Sequence, residues 1–341
     1  GRRIHYLPPY RGGHYIALQE LLNIPPSRQQ EGVSIDFIKA VVNQRNYKSA
    51  EEIEQIEEAV TISANMHIKA MQMIRPGMKE SEIAAAVTEI ALRDEGYLSF
   101  PVIATVNGQT LHNHHHGNIV REGDMFLLDA GAENRMHYAG DLSSTFPVGK
   151  HFSERQKEIY NIALHAHQTA VAELRPGIPF RDIHLKAAAT IVEGMKSIGL
   201  MKGDAAEAAE AGAHALFFPC GLGHMMGLDV HDMENLGEVW VGYDGQPKST
   251  LFGIKSLRLA RKLEPGFVLT IEPGIYFIPE LIDRWKAEKR FTDFINYDKV
   301  EKYKDFGGLR NEEDYLITPE GKRRLGKYVP TTIEEVEAVR Q

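Results

Sequence analysis

Two aspartates in residues 125–145, MFLLDAGAENRMHYAGDLSST, combine residue types and a spacing that could do chemistry. An apolar run ends at Asp129, residues 133–135 form a polar turn, and a second run carries Asp141, which is the pattern of a β-hairpin. With the turn centred on Arg135, the two carboxylates face each other with Cβ atoms about 5 Å apart. At an effective dielectric constant of about 20 they repel by roughly 3 kcal/mol. The pair therefore needs a shared proton, an arginine or a metal ion.

More candidate ligands follow in the second half of the chain. Glu272 in LTIEPGIY and Glu312 in GGLRNEEDYLIT stand in β-like stretches. His224 and His231 stand in GLGHMMGLDVHD, whose glycines favour a loop over a helix. Four carboxylates with one imidazole form an oxygen-rich ligand set, which favours Mn²⁺, Co²⁺ or a similar divalent ion over a cysteine-rich structural zinc site. Because four negative charges balance two divalent ions, the charge count favours two metals over one.

An internal repeat indicates which elements position these residues. IRPGMKESEI begins at Ile74 and LRPGIPFRDI at Leu174, an offset of 100 residues, and each copy closes one amphipathic helix and opens another. GDMFLLDAG and GFVLTIEPG repeat at an offset of 143 residues and align Asp129 with Glu272. We therefore predict two related helix–helix–strand–hairpin units around an approximate two-fold axis, with the site in the cleft between them.

Helix signals set the boundary of the region that carries this repeat. The first strong helix pattern begins after Ser49, where Glu52 completes a capping box, and a second helix is predicted over 81–94. Residues 1–47 are punctuated by proline and glycine and are too few to bury a core of their own. We interpret them as the C-terminal remnant of a missing N-terminal domain plus a linker, ahead of one domain over 48–341.

Composition limits the functional class. A chain of 341 residues with 43% hydrophobic and 25% charged residues is predicted to be globular. Its net charge of −8 argues against nucleic acid or an anionic membrane as a partner, so we expect a polar small molecule or a peptide. No apolar run reaches the roughly 18 residues of a membrane span. Cys220 is the single cysteine, which excludes an intrachain disulfide and indicates a reducing compartment, so we expect a cytoplasmic location.

Five stretches occur in an order that is typical of a known family: FLLDAGAE, YAGDLSSTF, GLGHMMGLDVHD, VLTIEPGIY and GGLRNEEDYLIT. They resemble the signature stretches of the Xaa-Pro peptidases, the metallopeptidases that comprise prolidase and aminopeptidase P. The resemblance covers roughly residues 48–335. It implies the pita-bread fold, an α+β architecture with two pseudo-symmetric halves around a central antiparallel sheet. It also implies two divalent ions, most readily Mn²⁺ with Co²⁺ or Zn²⁺ as alternatives, held by Asp129, Asp141, His224, Glu272 and Glu312.

The resemblance also implies roles for the groups around the metals. His231 would stabilise the tetrahedral intermediate, and His112, in TLHNHHH, would line the substrate pocket. Glu272 would be both a ligand and the proton acceptor for the attacking hydroxide, in keeping with metal-assisted hydrolysis. Arg310 would pair with a ligand carboxylate and orient it, so the catalytic set is Glu272, His231 and Arg310.

One arginine sets the expected length of the substrate. Dipeptidases of this family carry an arginine fourteen residues before the glutamate of EPG, where it grips the free carboxylate of the dipeptide, and Arg258 has this spacing from Glu272. A guanidinium recognises a carboxylate in a bidentate manner. The long gaps from His224 to Glu272 and on to Glu312 also resemble prolidase. We therefore expect hydrolysis of the Xaa-Pro bond in dipeptides, with an Xaa-Pro aminopeptidase for longer peptides as the alternative.

Two departures from the family pattern bear on these expectations. Cys220 stands where the family usually has histidine, and a thiol is a poorer hydrogen-bond donor, so a proton relay or substrate contact would be weakened. The spacing from Asp129 to Asp141 is one residue longer than usual, and a bulge there would break the facing geometry.

Other functional classes stay open. Some pita-bread proteins have lost their metals and act as binding modules, but those lack several of the five ligands that this chain retains. Residues 114–116, three consecutive histidines, are interpreted as a loop at the cleft rim. The missing N-terminal domain would ordinarily shape the pocket and help to form a homodimer.

Overall fold

The computed structural model describes residues 3–93 and 95–341. Its helices are α1 (Gly12–Leu22), α2 (Ile35–Asn46), α3 (Ala50–Met73), α4 (Glu80–Arg93), α5 (Glu154–Glu173), α6 (Phe180–Ser197), α7 (Ala205–Ala211), α8 (Glu238–Val241), α9 (Pro279–Ala287), α10 (Tyr297–Val300) and α11 (Ile333–Val339). Its strands are β1 (Tyr97–Leu98), β2 (Ile103–Thr105), β3 (Met125–Asp129), β4 (Ala132–Glu133), β5 (Ser143–Pro147), β6 (Val268–Ile271), β7 (Gly274–Tyr276), β8 (Gly308–Arg310), β9 (Glu313–Thr318) and β10 (Gly321–Arg324). Short 3₁₀ turns cover Pro26–Gly32, Ala213–Leu216, Glu234–Leu236 and Glu301–Tyr303.

The sequence repeat is also a repeat of structure. Helices α3 and α4 pack against each other, and so do α5 and α6. Helix α4 begins at Glu80 and α6 at Phe180, which preserves the offset of 100 residues. The glycines before them, Gly77 and Gly177, both have left-handed backbone angles, with φ of 95° and 86°, which residues with a Cβ rarely adopt. The two copies therefore share the same turn as well as the same helices.

The predicted capping box starts α3. The Ser49 backbone N–H donates to Glu52 Oε2 at 2.8 Å, and the Glu52 N–H donates to Ser49 Oγ at 3.3 Å. These two bonds satisfy backbone donors that a helix terminus leaves without a partner. The helix predicted over 81–94 is α4, which ends at Arg93; residue 94 lies outside the described residues. Of the strand-like stretch that follows, only Ile103–Thr105 forms a strand longer than two residues.

The sheets are antiparallel and mostly buried. Strands β2, β3 and β5 form one three-stranded sheet and β6, β9 and β10 another, while β1 pairs with β4 and β7 with β8. Every residue of β3, β5 and β6 is buried, and helices α3 and α5 pack against β5 and β6 respectively. Helices combined with antiparallel sheets confirm the predicted α+β class.

The two halves are joined by a β-bridge between Ser143 and Glu312, which we call the seam. The Glu312 backbone N–H donates to the Ser143 carbonyl oxygen at 2.9 Å. Ser143 is the first residue of β5 in the first half, and Glu312 lies between β8 and β9 in the second. The seam therefore brings the strand ends that carry the acidic residues to one place.

The hairpin register differs from the sequence prediction. Asp129 pairs with Ser143, so the hairpin is centred on Met136, and the prediction that Asp141 directly faces Asp129 is wrong. Asp141 is displaced by two residues from the predicted pairing. Because side chains alternate with a period of two, this displacement keeps both carboxylates on one face. They are then diagonal neighbours on adjacent strands, with Cα atoms about 7–8 Å apart.

The turn explains the difference in register. The Asn134 side-chain oxygen accepts hydrogen bonds from the backbone N–H groups of Met136 and Tyr138, both at 3.1 Å. The Asn134 N–H donates to the Tyr138 carbonyl oxygen at 3.0 Å, and His137 takes a left-handed conformation with φ of 66°. This longer turn moves the centre of the hairpin one residue past Arg135.

The segment before α3 packs against a loop of the second half. Ile38 and Val42 of α2 are buried. Arg45 Nη2 lies 2.6 Å from Asp232 Oδ1, and Lys48 Nζ lies 2.9 Å from Asp232 Oδ2. The assignment of 1–47 to a remnant of another domain stays a prediction. In the described ranges, no helix is both long enough and apolar enough to cross a membrane.

Candidate metal centre and active site

A cavity of about 760 Å³ opens between the two halves. All of the candidate site residues line it, namely Asp129, Asp141, His224, Glu272, Glu312, Arg310, His231, His112, Arg258 and Cys220. The chain therefore brings together in space residues that lie up to 200 positions apart in the sequence.

The ends of strands position the four carboxylates. Asp129 is the last residue of β3, Asp141 stands two residues before β5, Glu272 directly follows β6, and Glu312 directly precedes β9. His224 lies in a loop without regular structure, as the glycines around it predicted. Its backbone N–H donates to Thr270 Oγ1 at 3.1 Å, which anchors this loop to β6.

His224 presents one ring nitrogen to the acids. Its Nε2 atom lies 3.3 Å from Asp141 Oδ2 and 3.4 Å from Glu272 Oε1. Its Nδ1 atom lies 3.0 Å from the carbonyl oxygen of Met225, which can only accept a hydrogen bond. Nδ1 therefore carries the proton, and the lone pair of Nε2 points at the carboxylates, the arrangement expected of a metal-ligating histidine.

Three of the predicted ligands form the tightest group. Asp141, His224 and Glu312 are all buried, and each offers an atom within 4.8 Å of the others. Glu272 joins this group through its contact with His224, and Asp129 lies beside Arg310.

Arg310 fixes the orientation of two carboxylates. Its Nη2 donates to Asp129 Oδ2, its Nε donates to Ser143 Oγ at 2.9 Å, and its Nη1 lies 2.6 Å from the hydroxyl of Tyr276. Ser143 Oγ in turn donates to Glu312 Oε2 at 2.7 Å. The buried guanidinium therefore holds Asp129 directly and Glu312 through one hydroxyl. Ser143 and Tyr276 were not identified from the sequence, since no local pattern marks them.

Three of the carboxyl groups have raised pKa values, as expected for acids crowded into a buried site. Burial raises the pKa of Asp141 and Glu312 well above their ordinary values, and the neighbouring carboxylates raise it further. Burial likewise raises the pKa of Glu272 to about 7. Such groups ionise together only if cations compensate them. The oxygen-rich donor set and its charge therefore fit divalent ions.

His231 lies at the edge of the cluster. Its ring meets that of His224 edge to face, with centroids 4.4 Å apart, and its Nδ1 lies 3.2 Å from Glu234 Oε2. Burial and the neighbouring His224 lower the pKa of His231. His112 lies on the opposite loop, where burial lowers its pKa. Both imidazoles line the cavity beside the candidate ligands.

Arg258 lies on the cavity wall with two acids around it. Its Nη1 lies 2.7 Å from Glu238 Oε1 and 3.3 Å from Glu234 Oε1. Glu238 also pairs with Lys248. Sequence reasoning missed both glutamates. The stretch HDMENLGE contained a signal for one of them, because Glu234 follows His231 by three residues, a spacing that allows the two side chains to meet within one turn.

Among the described residues, Cys220 and the histidines at 114–116 have no acidic hydrogen-bond partner. Burial raises the pKa of Cys220 to about 12, so its thiol stays neutral. His114 lines the cavity, and His116 Nε2 lies 3.0 Å from the carbonyl oxygen of Val102. In the part of the chain that the structure describes, these histidines join no metal-ligating group, and they lie in a loop as predicted.

The chain is similar to the proteins of one known family. The family model of metallopeptidase family M24 matches residues 54–319. The Xaa-Pro dipeptidase of Mus musculus is 35% identical over 306 residues, covering 87% of this chain and 60% of that protein. The Xaa-Pro aminopeptidase of Escherichia coli (strain K12) is 35% identical over 308 residues, covering 89% of this chain and 62% of that protein.

Solved structures give the same picture. Zinc-substituted Escherichia coli aminopeptidase P in complex with product has a TM-score of 0.78 and 31% identity, covering 98% of this chain and 70% of that one. Pseudomonas aeruginosa aminopeptidase PepP has a TM-score of 0.77 and 29% identity, covering 99% of this chain and 70% of that one. The chain spans about 60% of the length of the curated relatives it matches.

Proposed function

Because this chain belongs to metallopeptidase family M24 and has its pita-bread fold, we propose that it hydrolyses the bond preceding proline in Xaa-Pro dipeptides. The family and the fold that the motifs predicted are thus confirmed, and the activity is our proposal. It is carried by one observation: four carboxylates and His224 line a cavity that also has Arg258 on its wall.

We propose that the site holds two divalent ions. The ligands would be Asp129, Asp141, His224, Glu272 and Glu312, and Mn²⁺ is the first candidate, ahead of Co²⁺ and Zn²⁺. When bound, the ions would polarise the scissile carbonyl and make hydroxide available near neutral pH.

The side chains of the protein would then divide the remaining work. Glu272 faces the cavity with a side chain that is 20% exposed, and it would accept the proton of the attacking water. His231 would stabilise the charge that develops on the carbonyl oxygen. Arg310 would hold Asp129 and Glu312 in place, and His112 would line the substrate pocket from the facing loop.

The surroundings of Arg258 support a substrate that ends just after proline. Both of its acidic contacts use Nη1. Within residues 3–93 and 95–341, Nε and Nη2 have no hydrogen-bond partner. One edge of the guanidinium is thus available for bidentate binding of a free carboxylate.

A second candidate, an Xaa-Pro aminopeptidase acting on longer peptides, is favoured by the extent of the cavity. Its wall continues beyond Arg258 to Phe252 and to Glu280, Leu281 and Arg284 of α9. A volume of about 760 Å³ lies within the range of sites that hold ligands larger than a dipeptide. The residues that line this extension offer both apolar and charged contacts to a longer chain.

Peptide hydrolysis with controlled metal content tests the proposal. Metal-stripped protein is titrated with Mn²⁺ up to two equivalents, and cleavage of Ala-Pro is compared with that of Ala-Pro-Ala. We expect activity that requires both equivalents and favours Ala-Pro. A preference for Ala-Pro-Ala would favour the aminopeptidase activity over the dipeptidase activity. Failure to bind metal would refute the proposal that the chain is a metallopeptidase.

Matched variants connect that result to the site. Asp141→Asn removes a buried carboxylate next to His224 and is expected to lower the number of bound ions and the rate together. Asp298→Asn, at an exposed position of α10 outside the cavity lining, changes the same charge and is expected to leave both unchanged.

A further inference from the structure

Glu234 touches two side chains of the candidate site at once. Its Oε2 lies 3.2 Å from His231 Nδ1, and its Oε1 lies 3.3 Å from Arg258 Nη1. Each oxygen of one carboxylate therefore serves a different partner. We propose that Glu234 is a positioning residue that holds His231 and Arg258 in one fixed arrangement, an inference that rests on the proposed peptidase function.

On the His231 side, Glu234 fixes the ring from one edge. A carboxylate oxygen can only accept a hydrogen bond, so Glu234 keeps a proton on Nδ1 both in the neutral ring and in the imidazolium, whose Nε2–H can donate to a developing oxyanion. The face of the same ring is limited by His224, 4.4 Å away and nearly perpendicular. The Glu234 backbone N–H also donates to the His231 carbonyl oxygen at 3.1 Å, which keeps the two residues together within one turn.

On the Arg258 side, Glu234 and Glu238 both contact the guanidinium. Both acids contact Nη1, so the Nε and Nη2 edge of the guanidinium stays free of these two carboxylates on a side chain that lines the cavity. Glu238 pairs with Arg258 and Lys248, and in the described part of the chain it has no hydrogen bond or ion pair with His231. Glu238 is therefore a matched control: it has the same charge and the same arginine partner, and it makes no polar contact with the histidine.

The two partners give Glu234 a distinctive kinetic signature. A residue that only supports Arg258 affects how well a free carboxylate is bound, whereas a residue that also orients His231 affects the turnover of every substrate. Loss of Glu234 should therefore change both the binding of the free carboxylate and the turnover of every substrate. Loss of Glu238 should change carboxylate binding alone.

The experiment compares Glu234→Gln with Glu238→Gln on Ala-Pro and on its C-terminal amide, which has no free carboxylate. We expect Glu234→Gln to lower kcat about 10-fold on both substrates and to reduce the preference for Ala-Pro over the amide. Glu238→Gln should raise KM for Ala-Pro and leave kcat on the amide unchanged. Glu234→Asp keeps the charge on a shorter side chain and should regain part of kcat. Equal kcat for the two glutamine variants, or an unchanged kcat in Glu234→Gln, would overturn the proposal.

A second readout does not depend on activity. The ¹⁵N signals of the His231 ring, assigned with His231→Asn, are recorded on protein selectively labelled at histidine, with and without Zn²⁺. Glu234→Gln should shift them, and Glu238→Gln should not; unshifted signals in Glu234→Gln would refute the positioning role. If the unsubstituted chain cleaves neither substrate, the peptidase proposal fails, while these signals still decide whether Glu234 holds His231.

Discussion

Acid sensitivity of the fold is expected from His184, a buried histidine outside the candidate site. His184 lies on α6, fully buried, with ring centroids 5.8 Å from His214 and 5.3 Å from Phe218. Among the described residues, neither of its ring nitrogens has a hydrogen-bond partner. Burial, together with the nearby His214 and Arg181, lowers the pKa of His184 to about 3.

The sign and the size of the effect follow from this depressed pKa. The unfolded chain binds a proton to this histidine below about pH 6.5, whereas the folded chain does not until far lower pH. The stability that His184 contributes is therefore complete above pH 6.5 and is lost as the pH falls towards 3. Between about pH 7.5 and pH 5, the free energy of unfolding should fall by about 2 kcal/mol because of this residue alone.

The variant His184→Leu removes the titration and keeps a similar volume. Its free energy of unfolding should fall by about 2 kcal/mol less between the two pH values than that of the unsubstituted chain. The measurement is urea unfolding at both pH values with a chelator present, so that the acids of the metal site contribute equally to every variant. His165→Leu, at an exposed position on α5, is the control and should follow the unsubstituted chain. Parallel behaviour of His184→Leu and the unsubstituted chain would refute the reasoning.

Three further predictions concern other parts of the molecule. Arg258→Met should raise KM for Ala-Pro about 10- to 100-fold through loss of a charged hydrogen bond, whereas Arg284→Met, on the same cavity wall, should change it little. Arg340→Met should lower the free energy of unfolding in urea by about 3 kcal/mol or more, because the buried guanidinium donates to five backbone carbonyl groups; an unchanged value would contradict this. Cys220→His should raise kcat/KM for Ala-Pro at least about 10-fold by restoring a proton donor beside Glu272, and an equal rate would show that the thiol suffices.

Sequence patterns predicted correctly those features of the fold that depend on interactions between residues close together in the chain. The capping box of Ser49 and Glu52 involves residues three apart, and the start of α3 was predicted correctly. The offset of 100 residues between two similar turns predicted the paired helices, because each copy carries its own glycine and its own apolar face. The approximate position of the candidate site followed from acids placed at strand ends.

Interactions between distant residues could not be read in the same way. The register of the first hairpin depends on the Asn134 side chain, which accepts two backbone hydrogen bonds and lengthens the turn. Asp232 is neutralised by Arg45 and Lys48, more than 180 positions earlier, and no sequence pattern links them. The same holds for Arg340, which looks like an ordinary surface residue near the chain end and is almost fully buried.

The seam between Ser143 and Glu312 has a consequence for assembly. Of the proposed ligands, Asp129 and Asp141 come from one half and Glu272 and Glu312 from the other, so each half would supply an incomplete shell of donors. A small separation of the halves would pull these shells apart while each half kept its own strands and helices. If the proposed site binds metal, its affinity would measure how well the two halves fit together, and a substitution at their interface would weaken it without altering a single donor.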